Sequence, residues 1–161
     1  MLSDLGIDPK DLAKVTAPMR YAYPAELDPE PDGSAVNLWF PDVPGARTWG
    51  DDEAEALALA EDCLVTALYG CVRFGEPIPR PGPGRGRPMI PVPPLVAAKL
   101  ALYAAMRARG MSGGKLARRL GVTQKVVQSM LHLKRRTHIG HLERALAQLG
   151  VQLEVTVKDA A

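Results

Sequence analysis

Between residues 21 and 27 the chain alternates: Tyr21, Tyr23, Ala25 and Leu27 fall on one side, Ala22, Pro24 and Glu26 on the other. A period of two marks a half-buried strand. Pro24 has no N–H to give to a ladder, so this strand belongs at a sheet edge or carries a bulge there. Asp28-Pro29-Glu30-Pro31-Asp32-Gly33 is a turn signal ending in Asp-Gly. Ala35 to Phe40 then forms a second strand, Pro41 to Gly45 a tight loop, and Ala46 to Trp49 a third strand, a meander by these spacings. At Asp51-Asp52 the period changes. Ala54, Leu57, Ala58, Leu64, Val65 and Leu68 recur mostly three or four apart, which predicts a helix to about Tyr69 with Gly70 as its stop. Asp51, Asp52, Glu53 and Glu55 sit at its start, where the helix dipole favours negative charge. Strands followed by a helix that covers one face make a small α+β layer over residues 19–76. The lead-in at 1–18 is polar, and Asp8-Pro9 there can open a short helix.

Residues 77–94 break both periods with eight prolines, and Gly82, Gly84 and Gly86 interleave with Arg80, Arg85 and Arg87. Such a stretch is a semi-extended linker, placed here at 77–93. Within it, Met89-Ile90-Pro91-Val92 can add a short edge strand to the first domain, which makes a sheet of three to four antiparallel strands. Helical periodicity returns from Pro94 to about Arg109, with Leu95, Ala98, Leu102 and Met106 on one face and Gly110 at the end. Thr137 opens a cap before a last helix that begins at Ile139 or Gly140 and runs to Leu149, with Gly150 as stop. Val151, Leu153, Val155 and Val157 then alternate with polar residues. That strand, alone in an all-α domain spanning 94–161, is expected to pair with its twin in a second subunit or with another strand.

Residues 113–132 form one unit. Ser112 caps the first helix. Leu116 and Leu120 face inward, small Ala117 lets two helices approach, Gly121 suits a turn with positive φ, and Val127 and Met130 return to the core. This is a helix-turn-helix pattern, with Thr123 expected to cap the second helix. Gln124, Lys125, Gln128 and Ser129 then point outward, on the helix that enters the major groove in such motifs. Gln matches adenine in a bidentate pair, and Lys donates to guanine. Lys115, Arg118 and Arg119 before it, and Lys134, Arg135 and Arg136 after it, suit phosphates.

Charge sharpens the division. The net value is only +2 over 161 residues, yet residues 1–75 carry 14 acidic and 5 basic side chains, and residues 76–161 carry 4 and 15. The basic half suits a polyanion, and the acidic half suits a basic partner. With 47% hydrophobic and 24% charged residues the profile is that of a globular protein. No apolar run approaches the roughly 18–20 residues that span a membrane, and no secretory leader is visible, so a cytoplasmic location without a membrane partner is expected. Cys63 and Cys71 suit no zinc spacing and fit small buried positions. His132, His138 and His141 lack a Cys or acidic partner at ligand spacing, so no metal, cofactor or catalytic residue is expected. A nuclease reading would need Asp28, Glu30, Asp32, Asp51 and Asp52 as metal ligands, whereas their spacing is that of turns and caps.

The order of parts resembles the HicB-type antitoxins of bacterial toxin–antitoxin pairs. Tyr23-Pro24-Ala25, Phe40-Pro41-Asp42-Val43-Pro44-Gly45, Thr48-Trp49-Gly50-Asp51 and the alanine-rich helix after them carry the likeness in the first half. Pro93 to Tyr103, Leu116 to Val122, Leu142 to Leu146 and Leu149 to Val155 carry it in the second. The resemblance covers about 19–157, and the lead-in is longer than that family's pattern. It implies a partial ribonuclease-H-like α+β fold without nuclease activity, which binds and masks a small basic HicA-type toxin that cleaves mRNA. It also implies a C-terminal domain that binds operator DNA and represses the chain's own operon; the terminal strand and paired half-sites separately lead to the expectation of a homo-oligomer, dimer or tetramer. Glu26, Asp28, Glu30 and Asp32 are the toxin-binding residues expected from the resemblance, and Trp39 and Trp49 are either core residues or interface anchors, with the core preferred. The alternative reading is a helix-turn-helix regulator whose first domain senses a small ligand.

Overall fold

The computed structural model describes residues 18–160, so the short helix expected at Asp8-Pro9 lies outside the described residues. The fold is α+β, with two antiparallel sheets and five helices among those residues.

The first alternating stretch forms as two strands, β1 (Ala22–Pro24) and β2 (Glu26–Pro29), interrupted at Ala25. The break follows Pro24, which cannot extend a ladder. Ala25 instead gives its N–H to Pro88 O at 2.9 Å. Strand β3 (Val36–Trp39) pairs with β2 and with β4 (Arg47–Gly50), giving the expected meander β2-β3-β4. The proline-rich stretch returns β5 (Met89–Pro91) antiparallel to β1, with Tyr23 opposite Ile90.

Helix α1 (Glu53–Phe74) covers one face of the meander and buries Ala56, Ala60, Leu64, Val65 and Leu68. Its start is fixed by two carboxylates. Asp52 accepts from Glu55 N at 2.8 Å, and Glu55 accepts from Asp51 N at 2.6 Å. The helix does not stop at Gly70, as expected from sequence, but at Gly75, which takes φ 70°. Glycine within a helix costs only about 1 kcal/mol against alanine, and Val72 beyond Gly70 still packs on the first core. Gly50 brings β4 directly onto the first turn of α1: a Cβ there would lie 2.4 Å from Ala56 N.

Residues 75–88 have no regular structure but lie fastened to this sheet unit. Tyr23 Oη donates to Pro79 O at 2.8 Å, and Asp42 accepts from Gly82 N at 2.8 Å. Helix α2 (Pro94–Ala108) follows, with proline in its first turn as its fixed φ favours. It belongs to both cores. Val96 and Leu100 join the core under the sheet, together with Leu133, while Ala98, Leu102, Ala105 and Met106 join a second core. That core is completed by α3 (Gly113–Leu120), α4 (Gln124–Leu131) and α5 (Ile139–Gln148). Tyr103 Oη donates to Glu76 O at 2.8 Å, and Arg107 donates to Gly75 O, so α2 also holds the end of α1.

One expectation for the C-terminal region does not hold. Thr137 does not cap α5: the cap is His138, whose Nδ1 accepts from Gly140 N at 3.2 Å, while Thr137 Oγ1 is buried without a hydrogen-bond partner. The strand expected over 151–157 does not form within the chain. After Gly150, Val151 and Leu153 lean on the second core, but helices alone surround them and offer no open backbone edge to pair with. Val155 and Val157 are exposed.

Candidate functional site

Helices α3 and α4 are two turns each, joined through Gly121 at φ 67°. Ser112 caps α3 by accepting from Lys115 N at 3.2 Å. Leu116, Ala117, Val127 and Met130 are buried between the helices, and Leu120 is half-buried. The turn closes with Val122 N donating to Ala117 O at 3.0 Å. Thr123 stands at the N-cap of α4 by position, with Thr123 O accepting from Val126 N at 3.0 Å, but its side chain makes no capping bond. The amide of Gln124 lies across the start of α3 instead: a Cβ added at Gly114 would sit 4.0 Å from its Oε1.

The outward surface of α4 holds Gln124, Lys125 and Gln128 exposed, with Ser129 half-buried. Val126 is exposed among them. An apolar group on such a face matches a thymine methyl, and periodicity alone had not singled it out. Lys115, Arg118, Arg119, Arg135 and Arg136 are exposed and enter no ion pair among the described residues. Lys134 differs. Its Nζ is 3.3 Å from Asp62 Oδ1 on α1, so one of the expected phosphate contacts is tied to the acidic unit.

The segment that follows α4 is the second feature that sequence reasoning missed. Lys99 on α2 is fully buried, and its ammonium donates to His132 O and Arg135 O at 2.7 Å each and to Ser129 O at 3.4 Å. Burial, with Arg135 nearby, pushes its pKa down to about 8. The His132 ring stacks on Tyr69 of α1 with centroids 4.4 Å apart, and burial holds its pKa below the ordinary histidine value. A lysine at one position of an apolar helix gave no periodic signal; only its mismatch with Ala98 and Leu100 marked it.

The four expected acidic residues separate into two pairs. Glu30 accepts from Asn37 Nδ2 at 2.7 Å, and Asp32 accepts from Ser34 N at 3.0 Å; the Ser34 side chain first and its backbone second keep the Asp32 carboxyl below the usual range. These two carboxylates serve the turn. Glu26 and Asp28 lie on the sheet face away from α1. The register sets Glu26 opposite Trp39, which faces Arg47, and Asp28 opposite Asn37, which faces Trp49. Glu26 also pairs with Arg87 at 2.6 Å. Trp49 is 60% exposed and Trp39 half-buried, so the preference for the core at both is corrected. Alternation explains it: Leu38 and Phe40 point under α1, so Trp39 between them points away, and Trp49 follows through its neighbour Asn37.

No group of three His, Cys, Asp or Glu side chains among the described residues is placed to hold a metal ion. No helix among them is long and apolar enough to cross a membrane.

An α+β sheet unit with an open acidic and aromatic face is thus followed by a basic helical unit. Residues 22–101 match the family of HicB-like antitoxins of bacterial toxin–antitoxin systems. The chain is similar to Antitoxin HicB 2 of Photorhabdus laumondii, at 38% identity over 83% of this chain and 94% of that protein. It is also similar to Antitoxin HicB of Escherichia coli K12, at 33% identity over 84% of this chain and 98% of that protein. Antitoxin HicB of Pseudomonas fluorescens is 33% identical over 87% and 96%. The chain belongs to the HicB-like antitoxin family.

Proposed function

We propose that this chain is an antitoxin that neutralises a small basic HicA-type ribonuclease through its sheet unit and represses its own operon through α3 and α4. The observation that carries the proposal is the pairing of two unlike surfaces on one chain of this family. On one, Glu26 and Asp28 flank Trp39 and Trp49 on a sheet face that α1 leaves open. A basic protein that binds RNA phosphates meets favourable charge there, and a large exposed aromatic supplies the buried anchor of an interface. On the other, Gln124, Lys125, Gln128 and Ser129 stand at the front of a helix flanked by cations, of which Lys115, Arg118, Arg119, Arg135 and Arg136 enter no ion pair among the described residues. In a helix-turn-helix that helix lies in the major groove, and Lys115, Arg118, Arg119, Arg135 and Arg136 take phosphates. The sheet unit corresponds to the partial ribonuclease-H-like fold, with residues 77–93 as its link to the DNA-binding part.

The chain works as an even-numbered homo-oligomer in the cytoplasm. Two copies suit two DNA half-sites, and the exposed alternating tail at Val155 and Val157 supplies a strand that a second copy can pair. No catalytic residue is assigned. The test is co-expression with the short basic protein expected from the neighbouring gene. Restored growth and co-purification of the two proteins are expected, and failure of both would refute the proposal.

A further inference from the structure

Lys99 is a charged group at a position where the surroundings are apolar. It sits on α2, where Ala98, Leu100 and Leu102 are all buried. Removing an ammonium from water costs several kcal/mol, and no carboxylate among the described residues pairs with it. Three carbonyls take its protons instead, those of Ser129, His132 and Arg135. Ser129 lies in the last turn of α4, where the helix dipole is negative, and its carbonyl otherwise accepts only from His132 N at 3.3 Å. Lys99 is therefore a C-terminal cap for α4 that is supplied by another helix.

The same segment is held from the sheet unit at three further points. Leu133 enters the core under the sheet, His132 stacks on Tyr69, and Lys134 pairs with Asp62. Four interactions of different chemistry thus converge on residues 129–135. An apolar side chain at 99 would fill the space without the desolvation cost, but it would take the ammonium from Arg135 O and leave Ser129 O and His132 O with one backbone N–H each, so the end of α4 would lose its tie to α2.

We infer that Lys99 is a positioning residue for DNA reading: it locks the end of α4, and with it Arg135, to α2 and the sheet unit in one register. This rests on the proposal that α4 reads DNA. The lock sets the distance between the base-facing glutamines and the cations that grip phosphates. Without the lock each DNA interaction stays available but not all at once, so sequence discrimination falls while general attraction to DNA persists.

The probe is a duplex that the full wild-type chain selects from a random-sequence library, with a scrambled duplex of equal composition as reference. The readout is the ratio of the two Kd values, alongside thermal melting. Lys99→Met keeps the length and apolar stem and removes the donors. It is expected to melt cooperatively, to bind the scrambled duplex like the wild type, and to lose about tenfold or more of the ratio, equivalent to about 1.4 kcal/mol. An unchanged ratio, or an equal loss of affinity for both duplexes, overturns the inference. Tyr69→Ala removes the His132 stacking partner and spares the buried charge, so it serves if Lys99→Met does not melt cooperatively. A loss of about threefold in the ratio is expected from it, on the scale of a weakened aromatic pair, and no loss overturns the inference. A wild-type chain that selects no sequence at all would overturn the DNA-reading proposal and this inference together.

Discussion

The sheet unit and the helical unit present their surfaces in opposite ways. In the sheet unit, acidic side chains are spent largely on the fold: Glu30 and Asp32 hold a turn, Asp52 and Glu55 start α1, Asp42 fastens the proline-rich stretch, and Glu26 pairs with Arg87. In the helical unit most cations do nothing for the fold. Lys115, Arg118, Arg119 and Arg136 have no acidic partner among the described residues. A charge that is already satisfied contributes field but little new bonding, whereas an unpaired one is ready for a ligand. On the proposed function, the sheet unit's net acidity steers the toxin, and its open aromatic face supplies most of the binding. On the same proposal, the helical unit binds DNA directly through charge and discriminates through its glutamines.

The largest expected effect breaks the sheet unit itself. Gly50→Ala places a Cβ 2.4 Å from Ala56 N, a backbone atom that cannot move aside without shifting α1. A loss of about 3 kcal/mol or more is expected, at the upper end of overpacking costs, measured as a lowered melting midpoint. Next comes Trp49→Ala. Truncating an exposed anchor is expected to weaken toxin binding by about 2–4 kcal/mol while changing stability by less than about 0.5 kcal/mol, a split that calorimetric titration and thermal melting read separately.

In the helical unit, Gln124→Ala or Gln128→Ala is expected to reduce sequence discrimination by roughly 1–3 kcal/mol for each bidentate base pairing removed, with little change on random DNA. Equal weakening on both would mean that a different helix face reads the bases. Smaller still is the comparison of Lys134→Ala with Asp62→Ala. The first is expected to lower the salt slope of DNA binding by about one unit, while the second frees Lys134 and tightens binding slightly.

A separate test is a pH dependence of stability. Lys99 has a folded pKa of about 8 against an ordinary 10.5, so between those values the unfolded chain holds more protons than the native one. Stability should therefore rise with pH from about 8 to 10.5, where burial no longer penalises the charge. The contribution is isolated as the difference between wild type and Lys99→Met. A flat difference across that window would mean that Lys99 titrates alike in both states.

Much of the fold was legible because it rests on local periodicity. The meander, the return of β5, and the two short helices around Gly121 follow from spacing, proline and glycine alone. Three kinds of feature were not. The end of α1 was misplaced because Gly70 offers an earlier stop, whereas Gly75, followed by Pro77, is the glycine at which the helix ends. The orientation of Trp39 and Trp49 was present in the alternation but overridden by the general preference of tryptophan for the interior. Lys99, His132 and Asp62 are brought together from three elements far apart in sequence, and no periodic pattern encodes that meeting. The terminal strand was legible as a pattern, but a strand is completed by a neighbour, and the chain alone offers none.

The separation of the two surfaces is tested most directly by growth rescue in cells that express the short basic toxin with one of three chains: wild type, Trp49→Ala, or the double variant Gln124→Ala/Gln128→Ala. Rescue by the wild type and by the glutamine variant, with rescue abolished in Trp49→Ala at equal protein level, is the expected result. Rescue kept by Trp49→Ala and abolished in the glutamine variant would contradict it.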